Sequence, residues 1–329
     1  MAYHRTRADA SARPSPAATI TQALIARLEA GTNPWRKPWT SPADLTRPLR
    51  ACGQPYRGIN AIYLWLIAEA NGYSSPTWMT YNQASTLGGQ VRKGEKSEIA
   101  VFFKSYEKTD QDAVTGEDVA TRRRVMRTYH VFNVAQIDNL PERFTHVATP
   151  AVLPPEEHRA AVDAFIAAQG ADIRIGGNSA HYVPSGDYIQ MPRWQDFESY
   201  ALYGATAIHE LAHWTGHKDR LNRETLHQYS NGPDIRAAEE LVAEMASAMV
   251  GADLGLSANH LDNHAAYIAS WLKLLRGDDH AIFKAAARAE EAAQYLLRNA
   301  GRASSVEQEL EVSADKIDAA TAVEDRIAA

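Results

Sequence analysis

Two histidines and a glutamate stand close together in the HELAH stretch at residues 209–213. Helix positions i and i+4 share one face, so His209 and His213 can bind one ion while Glu210 projects beside them. A glutamate in that position can act as general base toward a water molecule polarised by the metal. Mostly apolar residues precede the motif, and Gly216 ends the helix. The pattern predicts a mononuclear metal-hydrolase site, with zinc as the expected ion.

A hydrolytic zinc site needs a third protein ligand and one position open to water, and two acidic residues compete for the ligand role. Asp219 extends the motif to HExxHxxGxxD, which resembles a metzincin variant, but its Lys-Asp-Arg surroundings are typical of a solvated surface. Glu240 lies on a later, largely apolar helix, as in gluzincins, and a buried carboxylate needs a partner such as a metal. We therefore favour Glu240, with Glu244 one turn later orienting a histidine. Glu239 is expected at a solvated surface and His217 at a helix end.

A predicted strand pair precedes the metal-binding helix, and it runs from Tyr182 to Met191 with a turn at residues 185–187. Zincin peptidases usually bind an extended substrate along an edge strand above the metal, by β-augmentation. The segment 182–191 is placed to supply that strand. Tyr182 and Tyr188 are candidates for donating a hydrogen bond to a tetrahedral oxyanion, but a position in the core or at its rim is the favoured interpretation for each.

The elements that must position these residues follow from hydrophobic periodicity. Strand patterns occur at 99–106, 125–134 and near Ile173, with a polar hairpin loop predicted at 107–121. Residues 1–18 are typical of a loose arm, the proline-rich run 146–155 of a linker, and residues 301–329 of a loose acidic tail. The prediction is an α+β protein of two domains. Helices are predicted over 19–30, 59–70, 156–169, 198–215, 235–251, 260–275 and 280–299.

Composition places the 329-residue chain among ordinary globular proteins, with 45% hydrophobic and 22% charged residues. The single cysteine, Cys52, excludes an internal disulfide and fits a reducing compartment, so we expect a cytoplasmic protein. No apolar run reaches the roughly 18 residues of a membrane span. Residues 1–140 carry 18 Lys and Arg against 12 Asp and Glu, and the remainder 16 against 28. A basic half beside an acidic half suggests that the basic half binds a polyanion, with chance drift in surface charge as the alternative.

Aromatic and basic residues lie side by side in the basic half. Proteins that bind single-stranded nucleic acid combine a positive groove with aromatic platforms for the bases. Two alternatives stay open: the tryptophans between prolines could pin a loop, and the arginine cluster could be a solvated hairpin edge. The candidates are Trp35, Arg36, Lys37, Trp39, Tyr56, Arg57, Arg92, Lys93 and Lys96, together with Arg122, Arg123, Arg124 and Arg127.

Several stretches of the chain together resemble the ArdC-type antirestriction proteins. Two separate domain patterns occur in the family's order, over about residues 19–300. The stretches are PWRKPW from Pro34, YRGIN from Tyr56, VRKGEK from Val91, residues 131–136, residues 182–192, HELAHWTGH from His209, RLNR from Arg220 and EELVAE from Glu239.

The resemblance implies a domain at 19–145 that binds single-stranded DNA. It also implies a mostly helical zincin-like metallopeptidase domain at 156–300 with a small antiparallel sheet. Such proteins belong to conjugative plasmids and phages and protect incoming DNA from restriction, so single-stranded DNA and a protein substrate such as a restriction subunit are the expected partners. The alternatives are a DNA-binding shield whose metal site is structural or vestigial, and a protease that repairs DNA–protein crosslinks. The intact Glu210 favours an enzyme, since a structural site needs no general base. Manganese or another divalent ion suits two histidines and a carboxylate as well as zinc does.

Overall fold

The computed structural model describes residues 14–30, 47–111, 118–145, 155–256 and 264–302. The helices are α1 (Pro16–Glu29), α2 (Ile59–Asn71), α3 (Tyr81–Thr86), α4 (Glu142–Thr145), α5 (Pro155–Ala167), α6 (Tyr200–Trp214), α7 (Glu224–His227), α8 (Pro233–Leu254), α9 (His264–Gly277) and α10 (Ala281–Asn299). The strands are β1 (Leu49–Arg50), β2 (Thr77–Thr80), β3 (Gln90–Val91), β4 (Glu98–Gln111), β5 (Asp118–Asn133), β6 (Ile137–Asp138), β7 (Asp172–Ile175), β8 (His181–Val183) and β9 (Tyr188–Met191).

The strands form three sheets within the described residues. One has the order β1-β2-β5-β4, a second pairs β3 with β6, and the third has the order β7-β9-β8. The third sheet contains the predicted antiparallel pair, β8 with β9, and adds β7, which pairs with β9 in parallel. The β8–β9 hairpin leaves one edge of β9 open to β7, which arrives in the same direction.

The hairpin of β4 and β5 is longer than the sequence predicts. Its strands pair without a break from Glu98 opposite Val131 to Gln111 opposite Asp118, so most of the predicted loop at 107–121 is strand. Polar composition was misleading here. A two-stranded ribbon satisfies its backbone by cross-strand hydrogen bonds and needs no apolar face along its whole length.

Capping residues determine where the helices begin and end. Helix α1 starts at Pro16, earlier than predicted, because Ser15 accepts a hydrogen bond from the Ala18 amide and proline suits the first helical position. The predicted arm therefore ends before residue 16, and its first thirteen residues lie outside the described part of the chain. Ser199 likewise caps α6, and Gly255 ends α8 in the left-handed conformation.

Helix α8 is the centre of the second half. Nearly all of its residues from Ala237 to Ala252 are buried, since α6, α9 and α10 pack around it. Trp271 of α9 is fully buried and donates its indole N–H to the carbonyl of Ala237, at 2.9 Å. None of the helices described by the structure combines the length and apolar character needed to cross a membrane.

The two halves share one hydrophobic cluster, in which α1 and α2 pack against α9 and α10. A buried arginine adds polar contacts, since Arg47 lies 3.1 Å from Glu290 and 3.2 Å from Asp253. Glu290 also accepts the backbone N–H of Gly58, at 2.9 Å. The predicted linker lies outside the described residues except for Pro155, which already belongs to α5.

Candidate metal centre

Helix α6 places the two histidines of the predicted motif on one buried face. Every residue of this helix from Gly204 onward is buried, including His209, Glu210 and His213. The Nε2 atoms of the two histidines are 3.2 Å apart, and their rings stand nearly perpendicular. The imidazole nitrogens therefore converge on one point, as the i,i+4 spacing predicts.

Helix α8 brings Glu240 to the same point. Its carboxylate oxygens lie 3.5 Å from Nε2 of His209 and 3.6 Å from Nε2 of His213. Donor atoms bound to one tetrahedral zinc at about 2.0–2.2 Å lie roughly 3.3–3.6 Å from one another. The observed separations of 3.2 to 3.6 Å, with the two histidines facing different oxygens of the Glu240 carboxylate, are close to that range, so the donor set fits a single divalent ion.

The competing residue Asp219 lies elsewhere. Its side chain is 73% exposed, and its carboxylate lies 3.4 Å from Nδ1 of His217 at the end of the helix. Only His209, His213 and Glu240 form a potential metal cluster among the residues that the structure describes.

Burial and neighbouring charges have opposite effects on the pKa values of the cluster. Burial lowers the pKa of His213, but the carboxylates of Glu240 and Glu239 outweigh it and raise the pKa to about 10. Burial also lowers the pKa of His209, but the hydrogen bond with Glu240 and the charges of Glu244 and Glu210 together outweigh it and raise the pKa. Burial would raise the pKa of Glu240, but the two imidazoles hold it well below its usual range. The cluster therefore favours positive charge, which a divalent cation bound there would supply.

Glu239 corrects one prediction, since it is fully buried rather than solvated. Its carboxylate accepts hydrogen bonds from Nε and Nη2 of Arg223, at 3.2 and 2.6 Å, and another from the hydroxyl of Thr225. It also faces Nδ1 of His213 at 3.2 Å. Burial raises the pKa of Glu239, but Arg223 and His213 outweigh it and lower the pKa to about 2. A carboxylate can only accept, so Nδ1 of His213 carries the proton and Nε2 faces the cluster.

Arg223 ties this carboxylate to the end of α6. It donates to the carbonyl of Ala212 and to the hydroxyl of Thr215, both at 2.6 Å. Its guanidinium packs against Gly216, where an added Cβ would lie 2.8 Å away. This close approach of the guanidinium favours glycine at position 216, because any side chain there would crowd Arg223.

Tyr229 is a site residue that the sequence analysis missed. It lies in the short turn before α8, its hydroxyl donates to Glu240, and its ring meets the His213 ring edge-on at 6.2 Å. A lone tyrosine in a polar turn carries no spacing signal, so only the fold reveals it. Glu244 is buried one turn beyond Glu240, and its negative charge contributes to raising the pKa of His209, in line with a supporting role.

The two tyrosines proposed as oxyanion donors are engaged away from the cluster. The hydroxyl of Tyr182 donates to Asp187 at 2.8 Å and accepts from Arg220, and the ring of Tyr188 lies 3.8 Å below the guanidinium of Arg174. Arg220 also donates to the carbonyl of Trp214 at the end of α6. These contacts fix the β8–β9 turn against the metal-binding helix.

The strand available for a substrate is narrower than predicted. Strand β9 is the centre of its sheet, whereas β8 is an edge strand and packs against α6. Of the predicted segment, only His181–Val183 therefore lies at an edge of the sheet, next to α6.

The predicted DNA-binding residues differ in their exposure and in the contacts they make. Tyr56 is only 8% exposed and belongs to the core, where burial raises its pKa to about 12, so it is not placed to stack on a base. Arg92 is bound to Glu95 at 2.7 Å and to the carbonyl of Ala135, which reduces its availability to a phosphate. Arg57 is half-buried, and Lys93 and Lys96 are exposed. Trp35, Arg36, Lys37 and Trp39 lie outside the described residues.

The domain models of known proteins match this architecture. A zincin-like metallopeptidase model matches residues 160–288, and the N-terminal domain of the anti-restriction factor ArdC matches residues 15–132. The fold and the site thus define a two-domain protein with a zincin-like second domain.

Similarity in sequence and structure to known proteins identifies the family of this chain. The chain is 40% identical over 282 residues to the uncharacterized protein y4eC of Sinorhizobium fredii, covering 84% of this chain and 90% of that one. The crystal structure of the antirestriction ArdC protein from plasmid R388 is similar with a TM-score of 0.74 and 44% identity, over 88% of this chain and all of that one. Its Mn(II)-bound form gives a TM-score of 0.71, over 86% of this chain and 97% of that one. The chain belongs to the ArdC antirestriction family.

A longer relative carries the same region. The DNA primase TraC of Escherichia coli is 40% identical over 295 residues, which cover 84% of this chain but only 26% of TraC.

Proposed function

We propose that this protein binds single-stranded DNA and hydrolyses a protein substrate with a divalent metal held by His209, His213 and Glu240. The observation that supports it is the convergence of those three residues, whose nitrogen and oxygen atoms lie 3.2 to 3.6 Å apart, with Glu210 on the same buried helix as the two histidines. The likeness to ArdC adds the biological setting, protection of incoming plasmid DNA from restriction, with restriction subunits as candidate substrates.

When bound, the metal supplies Lewis-acid polarisation of the scissile carbonyl and of a water molecule. Glu210 accepts the proton of the attacking water and passes it to the leaving amine. Glu239 accepts from Nδ1–H of His213, which keeps the Nε2 lone pair directed at the metal. An extended substrate segment would pair with the open edge of β8. Zinc and manganese both suit this donor set.

The test of the site combines metal analysis with a cleavage assay. The full chain is loaded with zinc or manganese and incubated with casein, with and without a single-stranded oligonucleotide, and cleavage of casein and of the chain itself is scored. Glu210→Gln is expected to retain metal and lose cleavage, and His209→Ala to lose stoichiometric metal. Undiminished metal in His209→Ala would refute the site, and full cleavage by Glu210→Gln would refute the role of the general base.

The biological role is tested by transfer of unmodified plasmid DNA into a restricting recipient. Expression of the wild-type chain is expected to raise the transfer frequency, and Glu210→Gln to remove that gain. Equal protection by the wild type and the Glu210→Gln variant would show that binding alone suffices and that the metal site is not needed for protection.

A further inference from the structure

The hairpin of β4 and β5 carries an exposed face that the proposed catalytic site does not use. Cross-strand partners point to the same side of a sheet, and the register places Phe102 opposite Arg127 and Ala100 opposite Tyr129. Val125 lies on the same side, two residues before Arg127. Phe102, Val125 and Tyr129 are 40 to 41% exposed, and Arg127 is exposed as well. We call these four residues the hairpin face.

The opposite side of the same hairpin is partly covered by the protein, although Phe103 on that side is itself 46% exposed. Val101 is buried, Met126 packs against the main core, and Phe103 meets Phe283 of α10 edge-on at 6.4 Å. The outer edge of β4 is held by Asn60, whose side-chain amide bonds both the N–H and the carbonyl of Val101, at 2.8 and 2.7 Å. The hairpin is therefore anchored by Asn60 and α10, and the rings of Phe102 and Tyr129 on its other side remain exposed.

The chemistry of the hairpin face favours a polyanion with stacking bases. Phe102 and Tyr129 are diagonal neighbours, about 7–8 Å apart in a regular antiparallel pair, with Arg127 directly opposite Phe102. Arg127 is exposed on the side of the pair that carries both rings. Two rings and an exposed guanidinium provide stacking positions beside a phosphate contact, which is how single-stranded nucleic acid is bound.

The sequence next to the hairpin face is basic, since Arg122, Arg123 and Arg124 directly precede Val125 along the chain. The hairpin also belongs to the half of the chain in which Lys and Arg outnumber Asp and Glu.

We propose that the hairpin face binds single-stranded DNA, with bases stacked on Phe102 and Tyr129 and a phosphate bound by Arg127. The proposal rests on the proposed function, that the chain binds single-stranded DNA, and it names where. It departs from the sequence-based candidates Tyr56 and Arg92, which are buried and ion-paired respectively.

The experiment is a fluorescence-anisotropy titration of the full chain with a labelled oligothymidylate about 20 nucleotides long, longer than a typical single binding site. Phe102→Ala and Tyr129→Ala are each expected to weaken binding about 5-fold or more, equivalent to about 1 kcal/mol per stacked base. Arg127→Gln is expected to reduce the slope of log K against log salt by about 0.7. The matched controls are Tyr81→Ala, an aromatic 51% exposed on α3, and Arg143→Gln, an exposed arginine on α4, and both should bind like the wild type.

A conservative variant separates stacking from structure. Phe102→Tyr keeps the ring and is expected to retain wild-type affinity, whereas Phe102→Leu keeps apolar bulk and is expected to lose as much as Phe102→Ala. A duplex of the same length should bind more weakly than the single strand, because paired bases cannot stack on the rings.

The outcomes distinguish the inference from the function on which it rests. If the wild-type chain does not bind the oligonucleotide, both the proposed DNA binding and this site fail. If the wild type binds and the hairpin variants bind equally well, the site is wrong while the DNA-binding function stands. The proposal is also overturned if sedimentation shows a wild-type dimer that Phe102→Ala and Tyr129→Ala convert to monomers with unchanged DNA affinity.

Discussion

Replacing Glu239 by glutamine tests the support of the metal centre. The substitution keeps the shape of the side chain and removes its charge. The guanidinium of Arg223 would then remain buried beside Thr215 and the carbonyl of Ala212, without the carboxylate that now accepts two of its N–H groups. His213 would also lose the carboxylate that faces its Nδ1 atom.

The substitution is expected to lower both the stability of the protein and its affinity for metal. Removing one partner of a buried ion pair costs about 3–5 kcal/mol, and the amide oxygen that remains keeps the expected loss near the lower end, about 3 kcal/mol. That is a large share of the roughly 5–15 kcal/mol that stabilises an ordinary folded protein. Removing the carboxylate that orients a metal-bound histidine lowers metal affinity about 10- to 100-fold.

The assays are guanidinium denaturation of the metal-free protein, followed by tryptophan fluorescence, and competition for zinc with a chelator. Glu240→Gln is the matched control on the neighbouring residue. It has no buried arginine to leave unpaired, so it should lower metal affinity more than Glu239→Gln does and lower the stability of the metal-free protein less. Unchanged stability in Glu239→Gln would refute the ion-pair argument. A loss of metal affinity as large as that of Glu240→Gln would show that Glu239 itself binds the ion.

Two further predictions concern the contacts around the active-site helix. Gly216→Ala is expected to lower stability by about 1–3 kcal/mol in thermal melts, because the new Cβ would lie 2.8 Å from the guanidinium of Arg223, and an unchanged melting temperature would contradict that contact. Asp187→Asn tests a pH dependence of stability. Hydrogen bonds from Arg220 hold the pKa of Asp187 below its ordinary value. The contribution of Asp187 to the stability of the folded protein is therefore complete above that ordinary value and is lost as pH falls through the folded-state pKa. The stability difference between wild type and variant should therefore be largest near neutral pH and disappear in acid, and a constant difference would argue against it.

The sequence could predict the histidine pair because helical geometry alone brings i and i+4 together. It could also favour Glu240, since its apolar neighbours predict a buried helix that needs a partner for its charge. It could not predict that Glu239, on a different side of the same helix, is buried as well. Periodicity identifies one buried face, whereas α8 is covered by α6, α9 and α10 on several sides. The number of neighbours around a helix is a property of the tertiary structure.

Aromatic residues of the first half likewise show that local sequence does not determine whether a side chain is buried. Tyr56 and Phe102 are both rings in basic surroundings, but the first lies in the core and the second on an exposed hairpin. Local sequence cannot separate them, because burial depends on which strand or helix packs over the position. The hairpin itself was underestimated for a related reason, since cross-strand hydrogen bonds stabilise strands whose composition is typical of a loop.

The shared core leads to a last prediction, that the two halves of the chain unfold together. Helices α1 and α2 pack on α9 and α10, and Arg47 joins the first half to Glu290 of α10 and Asp253 at the end of α8, the helix that also carries Glu240. An isolated first half would expose that core, so DNA binding is better measured on the full chain than on a fragment.

If the halves unfold together, a metal bound only in the second half should stabilise both, by about 2.7 kcal/mol when its free concentration is a hundred times Kd. Hydrogen exchange measures this directly: the slowest amides of α2 should gain protection on adding zinc, and His209→Ala should remove the gain. Protection confined to the second half would show that the halves unfold independently despite the contacts between them.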